Sequence, residues 1–106
     1  MKRDMKQWIR DLVAAPTKKA MPVLSFPGVQ LMGITVKDLI QSSDYQAQAM
    51  KLVADRTPAA ASVSLMDLSV EAECFGATIH VSDNEVPTVT GAVVDSEEAA
   101  QALQVP

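Results

Sequence analysis

Apolar and polar positions change period several times along this chain, and each change marks an element. Met5, Trp8, Ile9 and Leu12 recur at i, i+3, i+4 and i+7. That spacing predicts a helix over residues 4–14 with one apolar stripe. Asp4 suits its N-cap, and Pro16 ends it because the residue before a proline avoids the helical region. Met21 to Phe26 (MPVLSF) is a short apolar run bounded by Pro22 and Pro27 and predicts a strand. Pro22 has no N–H to donate, so it fits only the strand's start or a sheet edge. Pro27-Gly28 is a turn signal, and residues 28–35 read as a loop with an apolar underside. A short helix is expected over Val36–Gln41. A longer one is expected over Ser43–Arg56, with capping-box spacing at Ser43 and Gln46 and a buried stripe of Tyr45, Ala49, Leu52 and Val53.

The stretch Ala59 to Gly76, AAASVSLMDLSVEAECFG, organises the rest. Its mostly apolar first half predicts a strand over Ala60–Leu65, apolar on both faces as in covered parallel sheets. Asp67 or Ser69 then caps a helix. Glu71 and Glu73 lie in its first turns, where the macrodipole favours negative charge, and Gly76 suits a left-handed C′ position. Strand, helix and strand joined by short linkers indicate a parallel βαβ unit. Residues 77–81 predict a short strand, Ser82–Glu85 a turn, Val86–Val94 a β-rich stretch, and Asp95 or Ser96 the cap of a last helix through Leu103.

Composition bounds what these elements can do. The 106 residues suit one small domain, and 48% hydrophobic content suffices for a core. Aromatics are only 4%, so Ala, Val, Leu and Met must fill it. The net charge of −4 disfavours nucleic acid as a partner. The basic cluster Lys2, Arg3, Lys6, Arg10, Lys18 and Lys19 reads as the solvated face of the first helix. No apolar run approaches a membrane span, no apolar h-region follows the basic N-terminus, and one cysteine cannot form an internal disulfide. These features fit the cytoplasm and no membrane partner.

Candidate chemistry is sparse. Cys74 and His80 are the only soft metal ligands, too few for a zinc site, and both read as structural. No metal ligand and no catalytic residue is assigned. Asp67 directly follows an apolar strand, where α/β folds place ligand groups; the plainer reading is an N-cap. Glu71 and Glu73 are two apart, so at most one of them faces the strand ends. Asp67 and Glu71 are therefore the substrate-pocket candidates.

The segment Met66-Asp-Leu-Ser-Val-Glu-Ala-Glu-Cys-Phe-Gly-Ala77 resembles the uroporphyrinogen decarboxylase superfamily, and more closely its corrinoid-dependent branch, the methylcobalamin:coenzyme M methyltransferases. Asp95-Ser-Glu-Glu98 matches a helix start of that family, Met21–Phe26 its first strand, and Tyr45–Met50 its next helix. The order and spacing are more specific than any single motif. The resemblance implies an α/β fold, the N-terminal part of a TIM (β/α)8 barrel with leading helices and a β-rich excursion. Residues 1–20 would be the leading helix and linker, and 21–106 the first βα units and the excursion. At this length the chain is expected to be an N-terminal fragment, since a closed barrel needs ~250 residues.

The implied function is methyl transfer between a corrinoid, as methylcobalamin or on a corrinoid protein, and a thiol such as coenzyme M. Zinc and the corrinoid would belong to the longer parent, and the fragment alone would be inactive. Where uroporphyrinogen decarboxylases carry an arginine-rich segment, this chain reads Ser25-Phe-Pro-Gly-Val-Gln30, which disfavours a porphyrinogen. The methyltransferases' His and Cys zinc ligands lie further downstream, and Cys74 and His80 do not match them. Two alternatives stand beside this reading: a uroporphyrinogen decarboxylase-like lyase acting on another polyacid, and a stand-alone, non-enzymatic interaction domain. Two strand edges without charged guards, together with the stripes of the helices at 4–14 (Trp8, Ile9, Leu12) and 43–56 (Tyr45, Leu52, Val53), predict a homo-oligomer.

Overall fold

A computed structural model describes residues 2–106. Six helices and two short strands follow one another: α1 (Met5–Ala14), α2 (Pro27–Met32), α3 (Val36–Gln41), α4 (Ser43–Arg56), α5 (Val70–Cys74), β1 (Thr78–His80), β2 (Thr88–Thr90) and α6 (Glu97–Ala102).

The core lies where α2 and α3 pack on α4. Its buried apolar residues are Val36 and Leu39 of α3 and Ala49 and Val53 of α4. Gly28 makes this packing possible, because a Cβ there would lie 2.4 Å from Ala49 Cβ. The α2 backbone thus rests directly on α4. Thr35 and Asp38 form a complete capping box on α3, and the Ser42 hydroxyl accepts the Tyr45 N–H at the head of α4. The expected cap, Ser43, is instead the first residue of that helix. The expected stripe of α4 is buried at Ala49 and Val53, partly covered at Leu52 and exposed at Tyr45.

Three sequence expectations differ from the structure. Residues 27–32 form α2 rather than a loop. Pro27 sits at the first helical position, where its missing N–H costs nothing, and Gly33 closes the helix at φ +65°. The stretches 21–26 and 60–65 form no strand, Phe26 already being helical (φ −66°, ψ −29°), and no ladder forms between them. They run side by side in the same direction, tied by Ala60 N–H to the Ala20 carbonyl (2.8 Å) and by the buried Ser25 hydroxyl to the Val63 carbonyl (3.4 Å). Ala61, Val63, Leu65 and Asp67 are partly covered while Ser62, Ser64 and Met66 are exposed. One face of the second stretch is therefore covered, not two.

Strands β1 and β2 pair antiparallel as a hairpin, Thr78 opposite Thr90, Ile79 opposite Val89 and His80 opposite Thr88. This is the two-stranded sheet of the described residues. A Schellman motif ends α5, with Ala77 N–H donating to the Ala72 carbonyl and Gly76 N–H to that of Glu73. Gly76 has φ +91°, as its place in the sequence predicts. Ser96 caps α6 by accepting the Ala99 N–H.

The chain is open in form. Its radius of gyration is 18.4 Å, against ~13 Å for a compact domain of this length. It exposes 8098 Å², where a compact monomer of this mass exposes roughly 5,700 Å². No helix of the described residues is long and apolar enough to cross a membrane.

Candidate functional site

Asp67 stands where the second stretch turns into α5. Its Oδ1 accepts the Ser69 N–H (2.9 Å) and the Ser69 hydroxyl (2.6 Å). Ser69 is itself buried, so this bond pair fixes the turn and holds the carboxylate in one orientation. The capping alternative is met in a modified form. Ser69 occupies the N-cap position of α5 but makes no side-chain cap bond, and Asp67 satisfies its donors from outside the helix.

Two recesses meet at Asp67. One, open and about 370 Å³, is lined by Ile40, Gln46, Leu65, Met66, Asp67, Val70 and Glu71. The other, about 140 Å³ and mostly apolar, is lined by Phe26, Leu68, Val86 and Pro87 together with Met66 and Asp67. Asp67, just before α5, and Glu71, in its first turn, therefore face the same open recess. Glu73 does not line it. Glu71 is solvent-exposed and Asp67 half-covered. The open recess has a mixed polar and apolar lining with two carboxylates, which suits a ligand that carries hydrogen-bond donors or positive charge.

Sequence reasoning reached Asp67 and Glu71 and missed the opposite walls. Gln46 faces the open recess, and its amide donates to the Ile40 carbonyl (3.3 Å), linking α4 to α3. Only the tertiary approach of α3 to the second stretch brings it there. Val86 and Pro87 arrive with the hairpin; its strand, turn and β-rich stretch were legible in the sequence, but not its placement against Phe26 and Met66.

Cys74 is exposed on α5 and His80 is exposed on β1. Among the described residues no three His, Cys, Asp or Glu side chains converge as metal ligands. The residues of this chain thus do not fit the zinc site that the resemblance implies for a longer protein, and no step through zinc or a corrinoid is derived from them. Comparison with family models, with curated proteins and with solved structures found no match.

Proposed function

We propose that this chain is the N-terminal part of a corrinoid-dependent methyltransferase. The reaction is transfer of a methyl group between methylcobalamin, free or protein-bound, and a thiol such as coenzyme M, in a cytoplasmic protein with a TIM-barrel fold. One observation carries the reading: the order of elements from Ala20 to Glu71. Two apolar stretches lie in the same direction beside a helical connection, and the second ends on a carboxylate that faces an open recess. In barrels, side chains that serve the reaction stand at this end of the strands. On this reading Asp67 and Glu71 are pocket wall. They bind and orient the substrate, while the methyl carrier and the thiol-activating metal are held by other parts of the protein.

The excess exposed surface supports a second element of the proposal, that apolar faces of this chain are covered by further barrel elements or by a second copy. The same excess favours the interaction-domain alternative, which needs no recess.

A methyl-transfer assay with methylcobalamin and coenzyme M separates these readings, run on protein in which this segment is followed by its downstream sequence. Asp67→Ala is expected to lower turnover or thiol affinity by more than tenfold, beyond the ~1 kcal/mol of stability that losing a turn or cap acceptor costs. Wild-type kinetics in that variant, with only the stability loss, would make Asp67 a turn residue and remove the proposal's main support.

A further inference from the structure

The hairpin is held to the molecule where it leaves α5 and at its tip, and both attachments are of a kind that can give; beyond Gly91 the chain runs on into an exposed segment. Gly76 precedes β1 and Gly91 follows β2 directly, with φ of +91° and +79°. A Cβ at either glycine would meet nothing within 4 Å. Crowding therefore does not require these glycines; what each supplies is a left-handed backbone and easy passage to other φ values. Between them the ladder has three residue pairs, and every strand residue but Ile79 is exposed. At the tip, Val36 N–H at the start of α3 donates to the Asp83 carbonyl (2.8 Å). Among the described residues this is the hydrogen bond that ties the hairpin to α1–α4. Just beyond the tip, Val86 and Pro87 close the apolar recess against Phe26, Met66 and Leu68, with Asp67 at its edge.

We infer that the β1–β2 hairpin is a hinged flap that gates the recess at Asp67. It turns on Gly76, the Val36–Asp83 bond is its latch, and Val86–Pro87 is the wall that moves. Hinges are a few positions that absorb large φ/ψ changes, and segments with few buried contacts open at low free energy. The core of α3 and α4 is independent of this motion, since neither strand of the hairpin contributes to it. The gating role rests on reading Asp67 as a pocket residue, whereas the hinged motion does not.

Hydrogen exchange on the intact chain tests the motion. The amides of Val36, Ile79 and Val89 are expected to exchange together, about tenfold or more faster than those of Ala49 and Val53 in α4. A Phe26→Cys, Val86→Cys pair in a Cys74→Ser background should cross-link the two walls. Oxidation should then slow the hairpin and Val36 amides toward the α4 rate, and reduction should restore them. Gly76→Ala strains the closed hinge, so it should speed exchange at Val36 while leaving α4 unchanged. Equal exchange in hairpin and α4 overturns the flap. So does a thiol pair that stays titratable and uncross-linked, or a Gly76→Ala variant in which α4 loosens in step. Failure of Asp67→Ala to affect methyl transfer would leave all these rates as they are, so the two proposals fail separately.

Discussion

Helices α1 and α4 reverse what their patterns promise. The α1 stripe of Met5, Trp8, Ile9 and Leu12 is the cleanest amphipathic spacing in the chain, yet α1 buries no residue. Met5, Ile9 and Val13 are all more than half exposed. The helix is complete in itself: Asp4 accepts the Lys6 and Gln7 amides at one end, and the Lys18 ammonium donates to the Val13 and Ala15 carbonyls at the other. The pattern of α4 is weaker, but α4 carries half of the buried apolar residues. The difference lies in side-chain size. Ala49 opposite Gly28 lets two backbones meet, and the contact buries what periodicity alone would leave half-covered. Periodicity therefore specifies that a helix forms, and close approach specifies whether it is covered.

The sharpest break of this comparison is a pair of truncations. Leu39, 1% exposed where α3 meets α4, should cost ~3 kcal/mol as Leu39→Ala. Ile9→Ala in α1 should cost under ~0.5 kcal/mol. Urea denaturation of the two variants measures this, and equal losses would mean that α1 is packed in solution.

A smaller effect isolates the backbone approach. Gly28→Ala places a methyl 2.4 Å from Ala49 Cβ and should destabilise by ~1–3 kcal/mol. Adding Ala49→Gly should recover part of that loss in a double-mutant cycle, whereas additive losses would place the strain elsewhere.

These two contacts also mark where the sequence was readable. The ends of α1, α3, α4, α5 and α6 were legible to within a few residues, because Asp4, Pro16, Ser96 and Gly76 act locally. Helix α2 was not, because Pro27-Gly28 carries the same local signal for a turn as for a helix start, and the packing of Gly28 on Ala49 decides between them. The stretches 21–26 and 60–65 were legible as apolar segments that lie side by side, not as the strands expected. Their ladder was expected and is absent, since two hydrogen bonds do not fix a register. At the site, Asp67 and Glu71 could be found from their position after an apolar run. Gln46, Val86 and Pro87 could not, because distant segments bring them there.

The smallest effect comes from the α3 cap. The Thr35 backbone N–H and then its hydroxyl, both bonded to Asp38 Oδ2, hold the Asp38 carboxyl below its ordinary value, and Lys37 adds to this. A carboxyl with a lowered folded-state pKa stabilises above its unfolded value, and that contribution is lost as pH falls through the folded value. The urea midpoint of the native chain should therefore exceed that of Asp38→Asn by a constant amount above about pH 5 and converge with it toward acid. A gap that persists unchanged at low pH would remove the carboxylate from the cap.

The bond from Ala60 to Ala20 has a kinetic consequence. It closes a loop of about 40 residues, and an unstructured loop of that length costs on the order of 3 kcal/mol in chain entropy. Two direct hydrogen bonds return little against that cost. Helices α2, α3 and α4 lie inside the loop and assemble through contacts nearer in sequence, so they shorten it before its ends meet. The segment that delivers Asp67 is then the last part of this region to find its place, and the recess forms only on a helical platform that is already folded.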